Sequence, residues 1–332
     1  MKTKWRKLVL PVLVVIVLAL MPIMTSSSYL IHLLVVCLIF AVVASNWGLQ
    51  VGYSGIYNFG HYGFFAIGAY TAAVLSVSFS VSPWAGMVAG ATAATLAGLV
   101  TGLPTLRLKI IYFALFTFSF QMLIYTFVMI NVGGLTGGNE GLYLIPSLQI
   151  GDIRFNHYSK VPAYYLALSI FLLSTVVLYR VVHSRLGVAF KALRDSFDYA
   201  ISRGISPYKY KLIAVLVSAF FTGLIGGFYA YYMGVLGPTI LSWGILIVGN
   251  AMLVIGGLGT FYGPIVAAFV LTVAAESLSG LGAYRYIIIA SIMIAALLIT
   301  PQELWTRVYV SAAPVIKKWW EHFSNRERRE AS

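Results

Sequence analysis

Ten apolar stretches, at about 8–24, 29–51, 60–78, 83–103, 109–131, 162–182, 212–235, 241–257, 262–279 and 284–300, dominate the chain. A helix that crosses a bilayer uses about 20 residues, and each stretch approaches or exceeds that length. The fold class expected is an all-α integral membrane protein of about ten transmembrane helices, some broken or re-entrant. Composition closes the alternatives: only 9% of residues are charged, whereas a soluble domain carries about 25%, so these residues cannot cover a water-exposed globule. The single cysteine, Cys37, excludes a disulfide or a cysteine metal site within one chain.

The formal net charge of +13 would suggest nucleic acid in a soluble protein. In a bilayer protein it reads as topology, because Lys and Arg concentrate in cytoplasmic loops. An even number of spans puts both termini on one side, and Lys2, Lys4, Arg6 and Lys7 place that side in the cytoplasm. Of the 22 basic residues, all but Arg154, Lys160 and Arg285 then fall inside. Trp5, Trp47, Trp84, Trp243 and Trp305 lie at or near proposed span ends, where indole is favoured. The stretch 8–24 is read as a retained span in preference to a cleaved signal peptide, since no small-x-small site precedes Ser26. Residues 1–300 thus form the membrane domain. Residues 301–332, with Trp305, Trp319, Trp320 and Phe323 among basic residues, form a cytoplasmic interfacial tail.

Two segments are neither spans nor short loops. The outer loop 132–161 is long enough to carry structure of its own. The cytoplasmic segment 183–211 places Leu186, Phe190, Leu193, Phe197 and Ile201 at helical spacing, with Lys191, Arg194, Asp195, Asp198 and Ser202 off that stripe. Ser184 is suited to cap its start, and Gly204 before Ile205-Ser206-Pro207 to stop it, so an amphipathic helix of about 17 residues is expected.

Chemistry-bearing patterns are sparse. The five histidines lack H-x-x-x-H spacing, G-x-S-x-G is absent, and no Lys follows a Gly, so no Walker site is present. No catalytic residue, metal site or cofactor is expected in this chain. Glu276, His61 and His32 are the only ionisable residues placed at membrane depth. Glu276 reads as an interfacial acid paired with Arg285, poor material for the buried relay of a proton-coupled carrier. His61 alone reads as a hydrogen-bonded packing residue.

Glycine is abundant and clustered. Gly48, Gly52, Gly55, Gly60, Gly63 and Gly68 surround Asn58 and His61; Gly133, Gly134, Gly137, Gly138 and Gly141 surround Thr136, Asn139 and Glu140; Gly256, Gly257, Gly259 and Gly263 precede Pro264. For Gly223, Gly226 and Gly227 close helix packing is sufficient explanation. The clusters call for irregular backbone, tolerated at membrane depth only where protein or water satisfies it, and such breaks are where transporters present polar groups to substrates. The candidate substrate path is Gly52, Asn58, Gly60, His61, Gly133, Gly134, Thr136, Gly137, Gly138 and Asn139.

The run Gly52-Tyr53-Ser54-Gly55-Ile56-Tyr57-Asn58-Phe59-Gly60-His61-Tyr62-Gly63-Phe64-Phe65-Ala66-Ile67-Gly68-Ala69-Tyr70-Thr71-Ala72 resembles a stretch of branched-chain amino acid ABC transporter permeases of the LivM type. Thr136-Gly137-Gly138-Asn139-Glu140-Gly141-Leu142 and Gly256-Gly257-Leu258-Gly259-Thr260-Phe261-Tyr262-Gly263-Pro264 are similar to two further motifs of that family, in the same order. The resemblance covers about 45–300. It implies that 183–211 corresponds to the EAA loop, the cytoplasmic helix that docks on the ATPase, with Ser184-Arg185-Leu186-Gly187, Ala192-Leu193-Arg194 and Gly204-Ile205 as matching elements. The chain departs from the motif at Tyr199-Ala200, where Ala-Ala is expected, and at Phe197, where an acid is expected.

The resemblance further implies a permease subunit of an importer for leucine, isoleucine and valine in a bacterial or archaeal inner membrane. It would work with a second homologous permease, two ABC ATPases carrying ATP-Mg, an extracytoplasmic binding protein and membrane lipid, and with no nucleic acid. Leu186, Phe190, Leu193, Arg194, Phe197, Ala200, Ile201 and Gly204 would be the ATPase-coupling residues. A permease for urea or short amides is the alternative within the class; an ion-coupled carrier and a membrane transferase are alternatives outside it.

Overall fold

The computed structural model describes residues 14–25, 27–105, 108 and 110–298. The basic residues before residue 14, Arg107, Lys109 and the tail 301–332 lie outside them. Helices occupy each of the ten apolar stretches: α1 (Val14–Met24), α2 (Ser28–Gly48), α3 (His61–Ser78), α4 (Pro83–Thr105), α5 (Ile110–Ile130), α6 (Lys160–Val182), α9 (Pro207–Met233), α10 (Trp243–Gly256), α11 (Gly263–Ser277) and α12 (Tyr284–Leu298). Two short helices, α7 (Arg185–Asp195) and α8 (Phe197–Ser202), fill the segment before α9. Five of the described helices, with α2 continued through Tyr53, are long and apolar enough to cross a membrane. At about 1.5 Å per residue, the 14 residues of α10 and 15 of α11 reach about 21–23 Å, short of a hydrocarbon core of about 30 Å.

Helix α9 is the centre of the bundle: 67% of its apolar window is buried, against 22% for α5 at the edge. Small residues explain how α3, α4 and α9 meet so closely. A Cβ on Gly223 of α9 would lie 3.2 Å from the Cα of Ala91 and from the carbonyl oxygen of Gly90 in α4, and Gly68 of α3 abuts the backbone of Gly223. Without water to expel, membrane helices associate through such packing; Gly223, Gly226 and Gly227 serve it as expected. Gly68, by contrast, belongs with this packing and not with the broken backbone before it.

The loop 132–161 carries its own structure. Strands β1 (Leu148–Ile150) and β2 (Ile153–Phe155) pair antiparallel, with Gln149 opposite Arg154. Trp84 Nε1 donates to the Gln149 carbonyl at 2.9 Å, and Leu142 and Leu236 exchange backbone bonds of 2.8 and 2.9 Å. The loop is thereby tied to the ends of α4 and α9.

Three expectations need correction. The amphipathic segment is two helices, not one of about 17 residues: Ser196 is extended (φ −152°, ψ 82°) and breaks it. Helical register is lost there, so Phe190 and Leu193 are buried, whereas Phe197 and Ile201 are 43% and 45% exposed and Ala200 is buried instead. Trp47 stands near a span end, one residue before the end of α2, but does not face outward: it is 1% exposed and donates Nε1–H to the Asn58 carbonyl at 2.6 Å. Glu276 and Arg285 do not pair. Glu276 accepts from the Tyr29 hydroxyl at 3.4 Å, and Arg285 stacks on Tyr286, 4.9 Å from its ring centroid, and donates to the Tyr286 hydroxyl.

The packing predicts that Gly223→Val lowers stability by about 1–3 kcal/mol or more through overpacking. A Gly280→Ala control, at a position with open space around it, should be neutral. Thermal unfolding of the detergent-solubilised protein, read as loss of a monodisperse chromatographic peak, checks both.

Candidate functional site

Helix α2 does not end cleanly. Its last residues, Leu49–Tyr53, widen into a π-turn, with Ser54 N–H reaching the Leu49 carbonyl at 3.1 Å. The chain then runs without regular structure to His61, where α3 begins. This break supplies four of the predicted path residues. Asn58 is 2% exposed and acts as its keystone: its Nδ2 donates to Gln50 Oε1 at 2.8 Å, and its Oδ1 accepts from Gly60 N–H at 2.8 Å. Its carbonyl takes the Trp47 bond, and Gln50 Nε2 donates to Ser218 Oγ on α9. Gly60 lies against the Thr117 carbonyl of α5, and Thr117 Oγ1 accepts from Phe59 N–H at 3.1 Å.

His61 is fully buried. Its Nε2 meets Thr222 Oγ1 at 2.9 Å, and its ring stacks on Trp47 at a centroid distance of 5.5 Å. Two further buried polar sites stand apart from these hydrogen bonds: Asn46 Nδ2 donates to Ser174 Oγ on α6 at 2.8 Å, and Gln121 of α5 is buried with neither amide atom partnered among the described residues. Asn46, Gln50, Gln121, Ser174, Ser218 and Thr222 are absent from the sequence-derived set. An amide in an apolar span is itself a signal, since a polar group there is costly without a partner; a search along glycine clusters and ionisable residues passes over it. Gln50, Asn58 and Ser218, joined through Trp47 to His61 and Thr222, form a polar belt that includes no Asp, Glu, Lys or Arg among the described residues.

The second predicted cluster lies in the loop 132–161, apart from this belt in the sequence. Asn131, with φ +54°, accepts through Oδ1 from Thr136 N–H at 2.9 Å and Gly137 N–H at 3.0 Å. Thr136 Oγ1 donates to the Val128 carbonyl at 2.8 Å. Gly137 needs its φ of +73° and has no room for a Cβ beside the Gly141 carbonyl. Gly138 is buried, whereas Gly133, Gly134 and Asn139 are exposed. The cluster is a built turn held by Asn131, a residue whose role the sequence reading missed.

The third cluster joins the first. Gly52 packs on the backbone of Gly259, its Cβ position 3.1 Å from the Gly259 Cα, and Gly48 faces Pro264 at 3.2 Å. Against this junction sits α7. Ser184 caps α7 by accepting from Leu186 N–H at 3.1 Å, Phe190 and Leu193 bury its inner face, and Gly204 at φ +80° ends the segment. Leu186 is half-buried. Arg194, placed off the apolar stripe by sequence, turns inward: its Nη1 donates to the Gly52 carbonyl at 2.5 Å, while its Nε meets Asp195 Oδ1 at 2.7 Å. Val188, Phe197, Tyr199 and Ile201 remain exposed on the same segment.

Comparison with known proteins gives the chain its family. A family profile described as the branched-chain amino acid transport system permease component matches residues 29–297. The high-affinity branched-chain amino acid transport system permease protein LivM of Escherichia coli is 28% identical over 320 residues, covering 90% of this chain and 75% of that protein. Its counterpart in Salmonella typhimurium matches at the same identity and coverage. No solved structure matches the chain. With a profile that spans most of its length and takes in α2 to α12, this integral membrane protein belongs to the branched-chain amino acid transport permease family.

Proposed function

We propose that the chain is the membrane-spanning permease subunit of an ATP-driven importer for branched-chain amino acids, with about ten spans and both termini in the cytoplasm of a bacterial or archaeal cell. It forms half of the translocation path beside a second related permease. Two separate ATPases carry the ATP-Mg, and an extracytoplasmic binding protein delivers the substrate; this chain catalyses nothing. The two LivM relatives, named for high-affinity branched-chain amino acid transport, supply the substrate class. The observation that carries the reading is the α7–α8 segment, which buries Phe190 and Leu193 in the bundle yet leaves Val188, Phe197, Tyr199 and Ile201 open. Apolar residues with charged neighbours on a short exposed helix pair suit a groove on a partner, and in this reading the groove is on the ATPase.

The belt around Asn58 supports passage of a zwitterion. Uncharged donors and acceptors can guide opposite charges without holding either tightly. The same belt speaks against an ion-coupled carrier, for which buried acids would be the usual machinery. In the proposed cycle, closure of the ATPases moves α7 and α8, shifts the break at 49–60, and alternates access along a path that includes Gly52, Asn58, Gly60 and His61 and ends outward near Gly133, Gly134, Thr136, Gly137, Gly138 and Asn139.

Two experiments on the reconstituted transporter test this reading. Asn58→Ala, which removes both arms of the belt's central amide, should lower ATP-dependent leucine uptake by about tenfold, or ~1.4 kcal/mol, with the complex still co-purifying; undiminished uptake removes Asn58 from the path. Phe197→Asp adds a charge to the exposed apolar patch. It should weaken ATPase co-purification by about tenfold or more, as loss of an interface anchor does, and unaltered co-purification would show that α8 is not the docking surface. If urea or acetamide, and not leucine, is taken up with the cognate binding protein, the substrate class falls while the permease assignment stands.

A further inference from the structure

Where α2 ends at the π-turn, its last carbonyls have no continuing helix to satisfy them, and they form the negative end of the helix dipole. A polar group left in that state in the buried interior, where Leu49–Tyr53 lie, is costly. The group that answers one of them comes from 142 residues away: the Gly52 carbonyl accepts from Arg194 Nη1. The fit is specific to glycine on each side. The stem of Arg194 lies on Gly55, whose Cβ position is 3.2 Å from Arg194 Cγ and 3.5 Å from its Cα, and a Cβ on Gly259 would come within 2.6 Å of Nη1. Gly52, Gly55 and Gly259 therefore form a notch, drawn from two of the helix breaks, that a guanidinium fills and any larger residue would close. Asp195 holds the other side of the guanidinium through Nε.

The carbonyl that Arg194 holds is two residues from Gln50, and Gln50 is the link from the π-turn to Asn58 and Ser218. We propose that Arg194 is the positioning residue that transmits movement of α7 to the polar belt: seated in the Gly52–Gly55–Gly259 notch, it makes the docking segment and the broken end of α2 move as one body. The inference rests on the importer reading and assigns Arg194 an inward role in it, distinct from the exposed patch on α8 that meets the ATPase. Coupling between sites is carried by contiguous contacts with discrete arrangements; here Lys191 Nζ also lies 5.5 Å from the centroid of the Tyr53 ring and Phe190 packs with Leu49 and Tyr53, while Arg194 supplies the hydrogen bond to the broken end.

The test uses the full transporter, reconstituted with its companion permease, ATPases and binding protein, and reads leucine imported per ATP hydrolysed. Arg194→Met keeps the stem on Gly55 and removes the donors. It should assemble and hydrolyse ATP at close to the wild-type rate, while import per ATP falls about tenfold, within the 5–150-fold span of typical coupling energies. Arg194→Lys, which restores a donor for the Gly52 carbonyl, should recover most of that loss. Unchanged import per ATP in the Met variant, or no recovery with Lys, overturns the proposal. So does loss of hydrolysis and ATPase binding together in the Met variant, which would make Arg194 a docking contact. If the Met variant does not assemble, Asp195→Asn decides: with the guanidinium present but less restrained, import per ATP should fall about two- to fivefold, the scale of an exposed ion pair, and no fall overturns the proposal. Absence of ATP-dependent uptake by the wild-type assembly would instead defeat the importer reading itself.

Discussion

Everything near the centre of this protein follows from one requirement: a backbone interrupted in the buried interior must have its N–H and C=O groups satisfied by protein. The interruption after α2 frees several such groups at once, and each is met by a residue chosen for reach. The Asn58 carbonyl takes the indole N–H of Trp47, Gly60 N–H takes the Asn58 amide, Phe59 N–H takes Thr117, and the Gly52 carbonyl takes Arg194. These partners come from α2, α5 and α7 as well as from the break itself. Satisfying one kink thus fixes how four elements sit against each other, and the tight glycine seam between α3, α4 and α9 holds the frame in which they do so.

Much of that frame is legible in the sequence because it depends on local chemistry. Apolar length places the ten helices, Ser184 and Gly204 mark the ends of the α7–α8 segment, and the length of 132–161 correctly signals a structured loop, realised as the β1–β2 hairpin and the Asn131-centred turn. Glycine clustering likewise locates the breaks. Each of these signals is carried by residues near one another in the chain.

What escaped the sequence is non-local. The helical period of 183–204 runs on through Ser196 because a single extended residue leaves no mark on spacing, yet it rotates everything after it and exposes Phe197 and Ile201. Trp47 satisfies the rule for an interfacial indole as well as a buried one, and only the Asn58 carbonyl 11 residues later decides between them. Arg194 is charged and off the apolar stripe, so solvent is its default place; the free end of α2 outweighs that default by offering an acceptor and a dipole. Gln50 and Gln121 carry no such mark because no glycine cluster is centred on them, although burying an amide is costly wherever it stands.

The chemistry of the belt bears on how selectivity would be divided in an importer of the proposed kind. Asn58, Gln50, Ser218, Thr222 and His61 are largely engaged with one another, so a substrate entering the belt would have to exchange for bonds already made. Such an exchange is close to balanced for an uncharged network, since each group released from one partner finds another, whereas a buried carboxylate or ammonium would bind a counter-charge and be slow to release it. A path built this way is permissive to what passes and sensitive to whether the network is open. Recognition is then better placed in the binding protein, and the permease is left with the task its structure is suited to: converting a displacement at α7 into a rearrangement of hydrogen bonds around the end of α2.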